Sequence, residues 1–361
     1  MLDFRSKIVA KSCLVALIAL PALATRENHV EPDQSVDEPV LEKQTPAVKA
    51  PEPGAAGLSV VQAIPLPGVE ERIDHLAVDV QRRRLFVAAL GNNTVEVVDL
   101  NKGVRVRSIP GFHEPQGISF VPDNNRIFVA NGKDGSCDML DGDSFHRVQN
   151  VNFAEDADNV RYDPAAKLIY VGYGSGALGI LNATDGRRLG DIKLAGHPES
   201  FQLEKSGSRI FVNVPAAGHI AVVDRRKNAL LSTWAVERAR SNFPMALDEP
   251  GRRLFVGCRK PPRLLVYDTT TGKLAADLGI CNDTDDIFYD PARKLVYVAC
   301  GEGVLNIVQQ KGADQYQPLA GIPTAAGART ALFVPEFNRF YLAVPHRGTQ
   351  GAEIRVYATQ P

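Results

Sequence analysis

Carboxylates and one guanidinium recur at one position of a repeated pattern in this chain. That position lies twelve residues before a recurring aromatic residue and holds Asp74, Gln116, Asp158, Glu199, Phe243, Asp285 and Arg329. A second position, two residues earlier in each repeat, holds Arg72, Glu114, Asp156, His197, Ser241, Asp283 and Gly327. The formal charges of the two sets are −3 and −2 when histidine is neutral. Carboxylates gathered on one surface would attract a cation or a cationic ligand.

The residue types at these positions predict two kinds of site. Hard cations prefer oxygen ligands, so a divalent cation, calcium first, would be held by Asp158, Glu199 and Asp285. Arg329 would pair with Asp285 and Asp74, or bind the carboxylate or phosphate of a ligand. The structural alternative is that these side chains satisfy backbone groups in turns or form ion pairs between neighbouring repeats.

Histidines add a second possible chemistry near the same positions. His75, His113 and His197 lie close to the two sets, and His346 lies in a later loop. Two or three converging imidazoles would suit a transition metal or a general base. The alternative is that they are hydrogen-bonded loop residues, since no His-x-His spacing occurs. The sequence also lacks Gly-x-Ser-x-Gly, Walker, His-Glu-x-x-His and Cys-x-x-Cys-His motifs, so no catalytic residue is assigned.

The elements that would position these residues follow from the aromatic repeat itself. The aromatic residues are separated by 42, 42, 41, 44, 42 and 44 residues and comprise Phe86, Phe128, Tyr170, Phe211, Phe255, Tyr297 and Tyr341. Each repeat contains four short strand patterns, as at 76–80, 85–89, 94–100 and 104–109, with Gly-, Asn- or Asp-containing turns between them. This period predicts an all-β, seven-bladed β-propeller of four-stranded antiparallel blades over residues 58–361.

The two ends of the repeat region complement each other. The seventh repeat stops after its third strand pattern at 353–358, whereas residues 60–65 resemble the outer strand at 105–110. We therefore expect the N-terminal strand to complete blade 7 and remove its open edge. The innermost strands would then begin at one face, which places both polar sets at the mouth of the central channel. An N-terminal strand without a partner is the alternative.

The residues before the repeats have the composition of a targeting segment and a linker. Basic residues precede the apolar run 14–20, and small residues end at Ala24, as in a cleaved signal peptide over residues 1–24. A membrane anchor is the alternative, but the run is short of the roughly 20 residues that span a bilayer. We expect a periplasmic or secreted protein whose mature chain has no transmembrane span. Residues 25–57 are rich in proline and acidic residues and predict a disordered linker.

Charge and cysteine content narrow the remaining possibilities. The net charge of −1 argues against a nucleic-acid partner. An oxidising compartment permits disulfides, and Cys281 with Cys300 is the favoured pair among three cysteines that should lie near the mouth, the third being Cys258. Cys137 is too far round the ring to join them. Reduced buried thiols and a thiolate metal site are the alternatives.

The strand motifs resemble a known family. Phe-Val-Ala-Asn at 128–131, Tyr-Val-Gly at 170–172 and Tyr-Val-Ala at 297–299 are similar to the Tyr-Val-Thr/Ala-Asn core of YVTN-repeat, YncE-like propellers. The resemblance runs from about Leu58 to the C-terminus and implies a periplasmic or surface protein of unassigned role. The wider class of propellers includes lactonases and lyases.

These observations support three hypotheses. The first is a monomeric, non-catalytic module that binds a small molecule or an exported protein partner at the acidic mouth, through Asp74, His75, Glu114, Asp156, Asp158, His197, Glu199, Asp285 and Arg329. The second is a metal-dependent lactonase or lyase at the same mouth, with His75 or His197 moving protons. The third is a tethered scaffold whose rim and linker hold other exported proteins.

Overall fold

A computed structural model describes residues 57–359 of the chain, and these residues form seven antiparallel sheets. Each sheet is one blade of a β-propeller, as the aromatic period predicts. The proposed signal peptide and nearly all of the proposed linker lie outside the described residues. Within the described part of the chain, no helix is long and apolar enough to cross a membrane.

Blades 1 to 3 each contain four strands in chain order from the channel to the rim. Blade 1 comprises Leu76–Asp79 (β2), Arg84–Ala89 (β3), Thr94–Asp99 (β4) and Val104–Pro110 (β5). Blade 2 comprises Pro115–Val121 (β6), Arg126–Asn131 (β7), Ser136–Asp141 (β8) and Arg147–Asn152 (β9). Blade 3 comprises Ala157–Asp163 (β10), Leu168–Tyr173 (β11), Ala177–Asn182 (β12) and Arg188–Lys193 (β13).

Blades 4 to 6 repeat this order. Blade 4 comprises Phe201–Leu203 (β14), Arg209–Val214 (β15), His219–Asp224 (β16) and Ala229–Ala235 (β17). Blade 5 comprises Arg240–Asp248 (β18), Arg253–Lys260 (β19), Pro262–Asp268 (β20) and Leu274–Gly279 (β21). Blade 6 comprises Thr284–Asp290 (β22), Leu295–Cys300 (β23), Val304–Gln310 (β24) and an outer edge split into Tyr316–Pro318 (β25) and Ile322–Pro323 (β26).

Blade 7 is built from both ends of the described chain. It comprises Ala331–Val334 (β27), Arg339–Val344 (β28), Glu353–Thr359 (β29) and Leu58–Pro65 (β1). Strand β1 pairs antiparallel with β29, from Leu58 opposite Thr359 to Pro65 opposite Glu353. The predicted closure by the N-terminal strand is confirmed. Short 3₁₀ turns occur at Leu90–Asn92, Pro215–Ala217 and Pro335–Phe337.

The hydrophobic core lies between neighbouring blades. In the described residues it forms seven clusters, each joining the facing sides of two adjacent blades. The recurring aromatic residues are buried in these clusters, with Phe86 and Tyr170 at 0% exposure and Tyr341 at 3%. The aromatic repeat therefore arises from the packing of each blade against the next. It leaves the ends of the innermost strands free to carry other side chains.

Candidate binding pocket at the channel mouth

The starting ends of the innermost strands surround a pocket of about 310 Å³. Its lining contains most of the residues that the sequence predicts for the mouth. The full set is Arg72, Asp74, His75, Gln116, Asp156, Asp158, Asn159, His197, Glu199, Ser200, Phe243, Arg259, Asp285 and Arg329. Glu114 is the one predicted ligand-binding residue outside this lining.

The backbone before the innermost strands forms a turn, from which the Asp156 side chain lines the pocket and the Glu114 side chain does not. Residues at the second repeat position adopt left-handed conformations in five blades, at Glu114, Asp156, Ser241, Asp283 and Gly327. A β-bulge follows this position in several blades, so side chains no longer alternate regularly between the two faces of the strand. The second position therefore belongs to a recurring turn. The Glu114 side chain is exposed beside Lys133, at 3.8 Å.

One side of the pocket is neutralised by arginines. Asp285 lies 2.6 Å from Arg259, 3.0 Å from Arg329 and 3.8 Å from Arg72. Arg72 also pairs with Asp74 at 2.7 Å. Arg329 thus pairs with Asp285 as expected, but Arg72 takes the place that Arg329 was predicted to fill at Asp74. The mouth is a mixed-charge pocket: Arg259 joins the expected Arg72 and Arg329, and five carboxylates face three arginines in the lining.

Arg259 is a pocket residue that was not found by aligning the seven repeats of the chain. It lies near the end of the second strand of blade 5, four residues after the aromatic residue, rather than on an innermost strand. Its guanidinium lies 4.0 Å from the centre of the Phe243 ring. The sequence contained a signal for it, because the equivalent position in the other blades holds only Leu, Gly or Pro.

His75 forms a buried ion-pair network between blades 1, 6 and 7. Its ring nitrogens lie 3.6 Å from the carboxylates of Asp286 and Asp74. Burial lowers the pKa of His75, but Asp286 and Asp74 outweigh burial and raise that pKa to about 10. Asp286 also accepts a 2.8 Å hydrogen bond from the Ala331 N–H in blade 7. His75 is therefore a charged structural residue at neutral pH, which argues against its predicted role in moving protons.

Asp158 and Glu199 form the opposite side of the pocket, on blades 3 and 4. Among residues 57–359, neither carboxylate has an arginine, lysine or histidine within ion-pair distance. Asp158 is 8% exposed, and its Oδ1 has no hydrogen-bond partner in that part of the chain. Burial raises the pKa of both carboxyls. The negative charge of Glu199 raises the pKa of Asp158 further, and the negative charge of Asp285 raises the pKa of Glu199 further. The two groups therefore retain a proton well above the usual carboxyl range, or need a cation beside them.

Two of the four histidines, His75 and His197, line the mouth pocket. His197 lines the pocket, where its Nδ1 donates a 2.7 Å hydrogen bond to the Gly174 carbonyl. His113 pairs with Asp134, and His346 lies 2.8 Å from Glu70, both outside the pocket lining.

The described residues contain no group of three or more His, Cys, Asp and Glu side chains that could hold a metal ion. Asp158, Glu199 and Asp285 therefore do not form such a group, and the Asp285 carboxylate is paired with arginines. The calcium site stays a prediction.

The cysteines lie in the cores between blades. Cys281 and Cys300 form a disulfide with a Cα–Cα distance of 5.9 Å. Cys258 directly precedes the pocket residue Arg259 and is buried between blades 4 and 5, and Cys137 is buried between blades 2 and 3. Burial raises the pKa of the Cys258 thiol to about 12, and it also raises that of Cys137. Neither thiol is suited to bind a metal as a thiolate.

The Cys281–Cys300 disulfide is expected to stabilise the folded chain. It closes a loop with a sequence separation of 19 residues. Loop-closure entropy of that size corresponds to about 3 kcal/mol. A Cys281→Ala/Cys300→Ala variant should lose this amount of unfolding free energy in urea denaturation. Adding a reductant should destabilise the native protein to a similar extent and leave the variant unchanged; an equal effect on both would contradict a structural disulfide.

The fold and pocket define the chain as a seven-bladed β-propeller with a mixed-charge pocket at one end of its channel. No protein-family model matches the chain, and no curated protein matches it. The YVTN-repeat resemblance therefore stays a prediction. Solved structures that are similar in fold include the following two. A chain of Kuenenia stuttgartiensis hydrazine synthase is 15% identical, with a TM-score of 0.67 over 80% of this chain and 98% of its own. A chain of a mitotic checkpoint complex is 12% identical, with a TM-score of 0.72 over 90% of this chain and 100% of its own.

Proposed function

We propose that this protein is an exported, YncE-like propeller that binds a small molecule with a cationic group at the channel mouth, without catalysis. The observation that carries the proposal is the buried Asp158 carboxylate, whose Oδ1 lacks a hydrogen-bond partner in the described chain. An uncompensated buried carboxylate costs several kcal/mol unless a proton or a cation neutralises it. A ligand ammonium group between Asp158 and Glu199 would supply that charge.

The rest of the pocket supports a small polar ligand. Gln116, Asn159 and Ser200 offer neutral hydrogen-bonding groups around the two carboxyls. The arginines opposite are already paired with Asp74, Asp283 and Asp285. The volume of about 310 Å³ lies at the lower end of the range for small-molecule sites. The expected ligand therefore has one cationic group and a compact polar body.

The proposal is tested by titrating full-length protein with ethanolamine, choline and lysine in a calorimeter. At least one should bind with a Kd below about 1 mM, and Asp158→Asn should weaken it at least tenfold, about 1.4 kcal/mol. Asp185→Asn is the matched control, because Asp185 lies on an exposed turn of the same blade. Protonation of the carboxyl pair competes with the ligand, so affinity should rise as the pH increases from 5 to 8. Equal binding by wild type and Asp158→Asn would overturn the proposal.

The carboxyl pair also favours a second candidate, an enzyme of the lactonase or lyase type. Carboxyls that keep a proton above the usual range can act as general acid and base near neutral pH. Asp158 and Glu199 would fill these roles. Mass spectrometry of a bound molecule before and after incubation distinguishes the candidates: an unchanged mass is expected for the binding module, and a turned-over product for the enzyme.

A further inference from the structure

A second cavity lies at the end of the propeller opposite the mouth, between blades 3 and 4. Its volume is about 540 Å³. The lining comes from the far ends of β10 and β14, the turns that follow them, and the residue directly after β16: Arg161, Tyr162, Asp163, Pro164, Ala165, Gln202, Leu203, Glu204, Lys205 and Arg225. None of these residues lines the mouth pocket. We call it the lower pocket.

The lower pocket contains an arginine whose binding edge is free. Arg161 lies on β10, and its Nη1 donates a 2.9 Å hydrogen bond to the neighbouring Val160 carbonyl. Its Nε and Nη2 make no hydrogen bond to the described residues, and no carboxylate among them lies within 4.0 Å of the guanidinium. The Nε–Nη2 edge is the planar fork that binds carboxylate and phosphate groups through two parallel hydrogen bonds.

The other charges of the lower pocket are largely satisfied within the protein. Arg225 pairs with Asp163 at 3.3 Å, and Glu204 pairs with Arg209 at 2.5 Å. The remaining cation is Lys205, an exposed side chain with no ion pair among residues 57–359. The free charge in this pocket is therefore positive, and it is centred on Arg161.

The positive charge of the buried Arg161 guanidinium is not fully compensated by nearby carboxylates. Its guanidinium lies 5.6 Å from the centre of the buried Phe201 ring. Burial lowers the pKa of Arg161, and the more distant Asp286 and Asp158 do not restore it. By contrast, carboxylates raise the pKa of Arg72 and Arg253 despite burial.

The repeats provide an internal comparison for Arg161. The equivalent position in the other blades holds no cation and reads Ala77, Ser119, Gln202, Ala246, Phe288 and Leu332. The propeller fold does not need a guanidinium here. We propose that the lower pocket is a second binding site, for a small molecule in which one carboxylate or phosphate group is attached to an apolar body. Leu203, Pro164 and Ala165 provide the apolar wall for that body.

The test is a ligand-observed NMR titration of full-length protein with benzoate and with phenyl phosphate, using benzyl alcohol as the neutral control. A probe of this size should bind with a Kd of about 1–5 mM. The preferred probe identifies the anionic group. Arg161→Met should weaken it at least tenfold, whereas Arg187→Met, an equal charge change at an exposed residue, should leave it unchanged.

Two further variants locate the site and guard against misfolding. Arg259→Met removes a guanidinium from the mouth pocket and should not change binding of the anions. Arg161→Lys keeps the positive charge but lacks the planar guanidinium, so it should bind the anion with an intermediate affinity. This variant provides the test if Arg161→Met does not fold. The proposal is overturned if neither anion binds more tightly than benzyl alcohol, or if both Arg161 variants bind as the native protein does. Neither result bears on amine binding at the mouth.

Discussion

Replacing His75 with leucine is expected to lower the free energy of unfolding by about 4 kcal/mol at pH 7. The substitution removes the cation that lies 3.6 Å from each of two carboxylates, Asp74 and Asp286. Both are buried, with Asp74 at 1% and Asp286 at 9% exposure. Asp286 would then lose its ion-pair partner among the described residues, and Asp74 would keep only Arg72, at 2.7 Å, at the junction of blades 1, 6 and 7. Urea denaturation measures the loss, and His146→Leu, at an exposed histidine, is the control.

The same residue predicts a pH dependence of stability. The pKa of His75 is about 10 in the folded protein against an ordinary value of 6.5. Its contribution is therefore complete below pH 6.5 and disappears as the pH rises through about 10. Native protein should lose stability between pH 7.5 and 9.5, and His75→Leu should lose much less. Parallel curves for the two proteins would show that His75 is not charged in the folded state.

Removal of strand β1 should have a still larger effect. A chain that starts at Leu66 leaves blade 7 with three strands and exposes the edge of β29 along its length. It also loses the burial of Leu58 and Ile64, which are 3% and 1% exposed. We expect the melting temperature to fall by more than about 10 °C, because several kcal/mol are lost from a domain of this size. The open edge should also promote aggregation.

The matched control for this truncation is a chain that starts at Gly57. It lacks residues 1–56 but keeps all of β1. Its melting temperature and solubility should match those of the full-length chain. If the chains that start at Gly57 and at Leu66 have the same melting temperature, the stability of the propeller does not depend on closure by β1. Differential scanning calorimetry with light scattering records both properties.

The fold was predictable because the period of the aromatic residues in the sequence results from the packing between neighbouring blades. Each recurring aromatic residue fills the space between two blades, so the seven anchors count the blades directly. The complementary ends, residues 60–65 and β29, likewise follow from strand patterns. Both features depend on hydrophobic side chains whose surroundings repeat from blade to blade. Because the chain contains seven such repeats, its sequence alone offers seven instances of the same packing pattern to compare.

The pocket was predictable only in part, because its residues come from more than one repeat position. Asp158 and Glu199 were found by aligning the innermost strands. Arg259 was missed since it lies on a different strand of its blade, and Asp286 was missed since it stands one residue beyond the aligned position. The bulges at the strand starts bring such neighbours into one network. Spacing alone could not show which carboxylates would be neutralised, and this decides where a ligand cation can bind.

The most direct test of the proposed binding function is a crystal structure of the protein purified from its own source. We expect density for a bound molecule at the mouth, with a cationic nitrogen within about 3 Å of Asp158 Oδ1 and of the Glu199 carboxylate. The arginines around Asp285 should keep their pairs. Density for ordered water alone, with Asp158 and Glu199 hydrogen-bonded directly to each other, would contradict a binding site for a cationic ligand.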